Sequence, residues 1–172
     1  MNRWTLSLHE AGHAVAAWAL TGTQAIATLH DGAAGAAWPL EDLSPTDRAI
    51  MTAVGPLSEA LAHRHSEPET VRHIAGDMPP RALPTVETIA SVEMATALRR
   101  GRSRAIPDHV ALARFCIAGV ERHPARWAQR HAWIQSLAKR LISSHEKSIV
   151  EVARVLYLRG VVSVPLEERK AS

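Results

Sequence analysis

The chain has 172 residues, 47% of them hydrophobic but only 4% aromatic, with 20 Lys and Arg against 17 Asp and Glu. That length suits a single domain over residues 1–172 with its own core, and the small apolar side chains imply closely packed helices. A lone cysteine, Cys116, excludes an internal disulfide and a cysteine-rich zinc finger, while the modest net charge of +3 and the lack of a nucleic-acid motif argue against a nucleic-acid partner.

The first predicted element runs from Thr5 to Leu20 and carries His9-Glu10-Ala11-Gly12-His13, which fits H-E-x-x-H. Residues four apart share one helix face, so His9 and His13 can offer two imidazoles to one ion. Glu10 lies about 100° round from His9, within reach of a water on that ion. The flanking Leu6, Leu8, Ala11, Val15, Ala16 and Ala17 mark a helix buried nearly all round. Burying two imidazoles and a carboxylate unpaired would cost several kcal/mol, and a metal ion would satisfy all three. Met1-Asn2-Arg3 leads straight into this helix with no signal peptide. The longest apolar run, Ala14–Leu20, is far shorter than the roughly 20 residues that span a bilayer. A soluble, cytoplasmic protein without membrane insertion is expected.

Gly22 should stop this helix. Segments 25–30 and 36–40, around Asp31-Gly32, read as a small β-hairpin beside it, whose edge could pair with an extended peptide. Ser44-Pro45-Thr46-Asp47 is a helix start, with Ser44 as N-cap, and Gly55-Pro56 should kink that helix or divide it in two. Ser66 opens a short helix that ends at Gly76. Thr85 to Arg100 forms another, closed by Gly101, and the Arg99–Arg104 basic cluster around it reads as a helix terminus and solvated loop. Pro107-Asp108 opens a helix to about Arg122, Ala125 to Ile142 forms an amphipathic one, and Ser143-x-x-Glu146 caps the last, ending near Gly160. Residues 161–172 read as a partly flexible tail. The expected fold class is mainly α, about six to seven helices with one hairpin.

A catalytic zinc takes three protein ligands and keeps one position for water. After His13 no His or Glu stands at the short H-E-x-x-H-x-x-G-x-x-H spacing, so the third ligand must come from a later helix. Leu8-His9-Glu10-Ala11-Gly12-His13-Ala14-Val15 resembles the motif of the peptidase domain of the FtsH family, ATP-dependent zinc metalloproteases of bacteria and organelles. The chain is more closely similar to small stand-alone FtsH-peptidase-like proteins without the ATPase module. Ala53 to Leu61 is similar to the family's glycine-containing, Glu-bearing helix, and Ile134 to Gly160 to its paired C-terminal helices. Asp108 to Ala113 resembles the later helix that begins with a metal-binding Asp, and no Walker sequence is present.

The resemblance implies Zn2+ held by His9, His13 and Asp108, with Glu10 as catalytic base. Asp31, Asp42 and Asp47 fit turns or a cap. Glu87, which also opens a helix, and Asp77 remain alternatives for the third ligand. Glu59 fits either a carboxylate that orients a ligand imidazole or a surface residue of its helix. His30, on the first hairpin strand, is a further residue that could line a substrate cleft. The function this implies is ATP-independent hydrolysis of peptide bonds in a peptide or protein substrate. The alternative is a non-catalytic helical binding or regulatory protein that retains a structural zinc.

Overall fold

The structure, a computed structural model, describes residues 2–30, 33–37, 43–68 and 108–166. Helix α1 spans Arg3–Thr21. The Asn2 side chain caps it by accepting the Thr5 N–H at 2.7 Å, and Gly22 closes it in the left-handed conformation, its N–H reaching the Trp18 carbonyl at 2.8 Å. Leu8, Ala11, Ala14, Val15, Ala16 and Ala17 are fully buried, so α1 is enclosed on several sides at once. Alanine and glycine make this geometrically feasible, because they let neighbouring backbones approach.

Strands β1 (Ala25–His30) and β2 (Ala33–Ala37) pair antiparallel. Helix α2 (Pro45–Ser58) starts at Ser44, whose Oγ accepts the Asp47 N–H at 3.1 Å, and beyond Pro56 it passes into a 3₁₀ turn, Glu59–His63. Proline supplies no N–H to the helical ladder, which accounts for the tightening there. Helix α3 spans Asp108–Ile117, and helix α4 spans Pro124–Arg159. Strand β3 (Val161–Val164) pairs antiparallel with β1 and completes a sheet of order β2-β1-β3.

Helix α1 is the hub and touches α2, α4 and the sheet. Alternate residues of β1 and β3 (Ala25, Ala27, Leu29, Val162 and Val164) are buried, as a sheet with one covered face requires. The largest fully buried side chains, among them Leu8, Met51, Leu61, Ile134, Ile149 and Leu156, come from α1, α2, the 3₁₀ turn and α4. Each contributes roughly 1.5–3 kcal/mol by leaving water.

The mainly α class holds, with four α-helices and one 3₁₀ turn among the described residues in place of six to seven helices. The two expected C-terminal helices follow one another within α4 across a kink at His145, whose backbone is non-helical (φ −120°, ψ 16°). No proline or glycine stands at the kink; Ile134, Ala138 and Ile142 are buried before it and Ile149, Val152, Ala153 and Leu156 after it. Glu146 does not cap a helix start; it accepts a hydrogen bond from His65 Nε2 at 2.8 Å and pairs with Arg64 at 3.1 Å. The expected tail begins with a strand instead, because Val161-Val162-Ser163-Val164 is a β-branched run facing an unpaired edge of β1. Helix α3 stops at Ile117, where Gly119 takes a positive φ of 73°. Ser66, Glu67 and Pro68 are irregular, and Glu67 accepts the Tyr157 hydroxyl proton at 2.5 Å. The remaining expectations over 69–107, including the Thr85–Arg100 helix and the basic cluster, lie outside the described residues, as do 31–32 and 38–42. No described helix is long and apolar enough to cross a membrane.

Candidate metal centre

His9 and His13 lie one turn apart on α1, and their rings meet edge to face with centroids 4.8 Å apart. Asp108, the first residue of α3, brings its carboxylate to the same point. His9 Nε2 stands 3.0 Å from Asp108 Oδ2, His13 Nε2 stands 3.2 Å from it, and the two Nε2 atoms are 3.2 Å apart. Residues almost a hundred positions apart in sequence thus place three donor atoms in one small triangle.

The outer ends of both rings are fixed by α2 and the turn after it. His13 Nδ1 donates to the Met51 carbonyl at 2.9 Å, and His9 Nδ1 donates to Glu59 Oε1 at 2.8 Å. A carbonyl oxygen can only accept, so the His13 Nδ1 carries hydrogen and its Nε2 is left to face the triangle. Carboxylate and carbonyl partners of this kind orient metal-binding imidazoles and raise their basicity.

The three residues fit a metal ion. Among the described residues His9, His13 and Asp108 form a group that can hold one. In a tetrahedral zinc site with bonds of about 2.0–2.1 Å, donor atoms lie ~3.3 Å from one another. The observed 3.0–3.2 Å separations are close to that spacing. The His13 side chain is 7% exposed and that of Asp108 30%, so the group is sheltered by α1 and opens to solvent on the Asp108 side.

The electrostatics favour a cation at this point. Burial disfavours the charged form of His9, yet hydrogen bonds to Asp108 and Glu59, with the charges of Asp108 and Glu10, outweigh it and hold the pKa at about 9. Burial pushes the Asp108 carboxyl up, but hydrogen bonds from His13 and His9, and their charge, hold it well below the usual carboxylate range. Burial raises the pKa of Glu10, which is buried beside them; His13 and His9 oppose that rise and Asp108 reinforces it, for a net upward shift.

This geometry makes two measurable demands. Glu59→Ala leaves His9 Nδ1 without its acceptor and should weaken zinc binding by about 10–100-fold, read by competition with a chelating dye. The second demand concerns pH. In the metal-free chain the raised His9 pKa contributes stability that is complete below about pH 6.5 and is lost as pH rises through about 9. A cation requires the Nε2 lone pair that the proton occupies. The gain in melting temperature on adding zinc should therefore grow from about pH 6.5 to 9. A gain that shrinks over this range would reverse the sign and contradict the site.

Of the residues singled out from sequence, the structure brings together His9, Glu10, His13, Glu59 and Asp108. Asp77 and Glu87 lie outside the described residues, as does the side chain of His30 at the end of β1. Asp47 sits in the first turn of α2, at the Ser44 cap. The Met51 carbonyl is beyond sequence reasoning, since a backbone group carries no signature in residue type. No protein-family model, curated protein or solved structure matches the chain.

Proposed function

We propose that this protein is an FtsH-peptidase-like zinc metallopeptidase that cleaves peptide bonds without ATP. The observation carrying the reading is the three-donor triangle of His9, His13 and Asp108, closed on one side by α1 and flanked by the buried carboxylate of Glu10. His9, His13 and Asp108 would hold a zinc ion, which would supply a Lewis acid and acidify a water toward a pKa of about 7. The chain's own residues supply the rest. Glu59 and the Met51 carbonyl hold the two imidazoles in one tautomer and orientation. The Glu10 carboxylate, its proton affinity raised by burial, accepts a proton from the attacking water and returns it to the departing amine nitrogen. Strand β2 has no strand partner on its outer side among the described residues, so an extended peptide can add there through backbone hydrogen bonds.

The test is cleavage of a fluorescence-quenched unfolded polypeptide by purified protein. Chelator should stop cleavage and one equivalent of zinc should restore it. Cleavage indifferent to chelator would sink the reading. Stoichiometric zinc without any turnover would favour a structural metal in a binding protein.

A further inference from the structure

Helix α2 passes the His13 ring of the metal centre at a residue with no side chain. A Cβ built on Gly55 would stand 2.2 Å from His13 Nε2, 2.5 Å from Cε1 and 2.8 Å from Cδ2. Similar short distances to three ring atoms place that carbon over the face of the imidazole at its Nε2 end. Unbonded heavy atoms need roughly 3.5 Å, so the ring would have to move. Its freedom to do so is small. Nδ1 is held by the Met51 carbonyl one turn earlier on the same helix, and Nε2 lies 3.2 Å from both His9 Nε2 and Asp108 Oδ2. Retreat from a methyl group at 55 gives up one of these arrangements.

The same helix crossing contains a second contact in the opposite sense. A Cβ on Gly12 of α1 would stand 2.4 Å from Ser58 Oγ and 2.9 Å from Ser58 Cβ. Each helix thus offers a glycine to the other's side chain: Gly55 receives His13, and Gly12 receives Ser58. Only the first contact involves the metal centre. Ser58 is fully buried and its Oγ has no hydrogen-bond partner among the described residues, so its hydroxyl fixes nothing there. Nor does backbone conformation call for glycine at 55. The positive-φ glycines among the described residues are Gly22, Gly119 and Gly160, and within a helix alanine is otherwise the better residue.

We propose that Gly55 is a positioning residue of the metal centre. Its missing side chain lets the His13 imidazole lie flat against α2 with Nε2 at the meeting point of the three donors. Glycine at 55 is therefore required for metal binding and not for the fold of α2. This rests on His9, His13 and Asp108 being metal ligands.

The experiment compares Gly55→Ala, His13→Ala and the double variant, with Gly12→Ala/Ser58→Gly as a control at the neighbouring contact. Zinc affinity, the visible absorption of bound cobalt(II) and the melting temperature of metal-free protein are read for each. Gly55→Ala should stay folded by circular dichroism, lose more than about a hundredfold in affinity and lose the tetrahedral cobalt(II) absorption. It should lower the metal-free melting temperature when His13 is present and not when His13 is alanine, since the clash is with that ring. The control pair should keep the cobalt(II) spectrum. Unchanged affinity and spectrum in Gly55→Ala would overturn the proposal, as would a variant that fails to fold equally with and without His13. A wild-type chain that binds neither ion would sink the ligand assignment, and this proposal with it. A wild type and Gly55→Ala that bind equally well would sink this proposal alone.

Discussion

Glu10→Gln should reduce peptide hydrolysis by about 10²–10⁴-fold and leave zinc bound. Glutamine keeps the volume and shape of the buried side chain and cannot take a proton at neutral pH. His9, His13 and Asp108 keep their own supports, because neither the Glu59 nor the Met51 contact passes through Glu10. The negative charge of Glu10 does favour a positive charge at His9, so its removal should weaken the metal slightly. The result to look for is a split: turnover collapses, zinc content by mass spectrometry stays near one per chain. Undiminished turnover would mean that another group moves the proton.

Asp108→Ala should lose most of the bound metal and all of the activity that depends on it. Two imidazoles would remain on α1 with no third protein donor among the described residues, since Glu59 is already engaged at the far nitrogen of His9. The metal-free chain should suffer as well. Asp108 is, with Glu59, an acceptor that holds a protonated His9 against the cost of burial, so without it the His9 pKa falls from about 9. The depressed Asp108 pKa contributes stability that is present above the unfolded-state value of about 4 and lost as pH falls below it toward the folded-state value. The stability difference between wild type and Asp108→Ala should therefore narrow in acid. Asp77→Ala and Glu87→Ala serve as comparisons and should keep their zinc. If Glu87→Ala alone loses it, the third ligand is Glu87.

Much of the helix framework is legible in the sequence because its signals are local. Gly22 and Ser44 mark helix ends through their own backbone preferences, and the four-residue spacing of His9 and His13 fixes them on one face. From its own neighbours Asp108 is legible only as the start of a helix, and as a ligand only through the resemblance; its place beside two histidines depends on how α3 packs, which no local pattern encodes. Strand β3 escapes notice although Val161-Val162-Ser163-Val164 has the composition of a strand, because its position after a long helix reads as a tail. The break expected at Ser143 is present two residues later, as the kink at His145 within α4. Gly55 reads as a helix breaker. Its closeness to the His13 ring is a property of two helices together.

The pairing of β1 with β3 also bears on the order in which the molecule can be assembled. Residues 25–28 find their second partner only in residues 161–164, so the central strand keeps a bare edge until the C-terminal part of the chain exists. Contacts between such distant residues close late, since each must overcome the entropy of a long loop. The centre beside α1 has the same long reach, from His9 to Asp108. A ribosome carrying only the first hundred residues holds the two donors of the H-E-x-x-H helix and an exposed strand edge, with Asp108 still to be added. The three-donor group of His9, His13 and Asp108 therefore comes together only after α3 has been made.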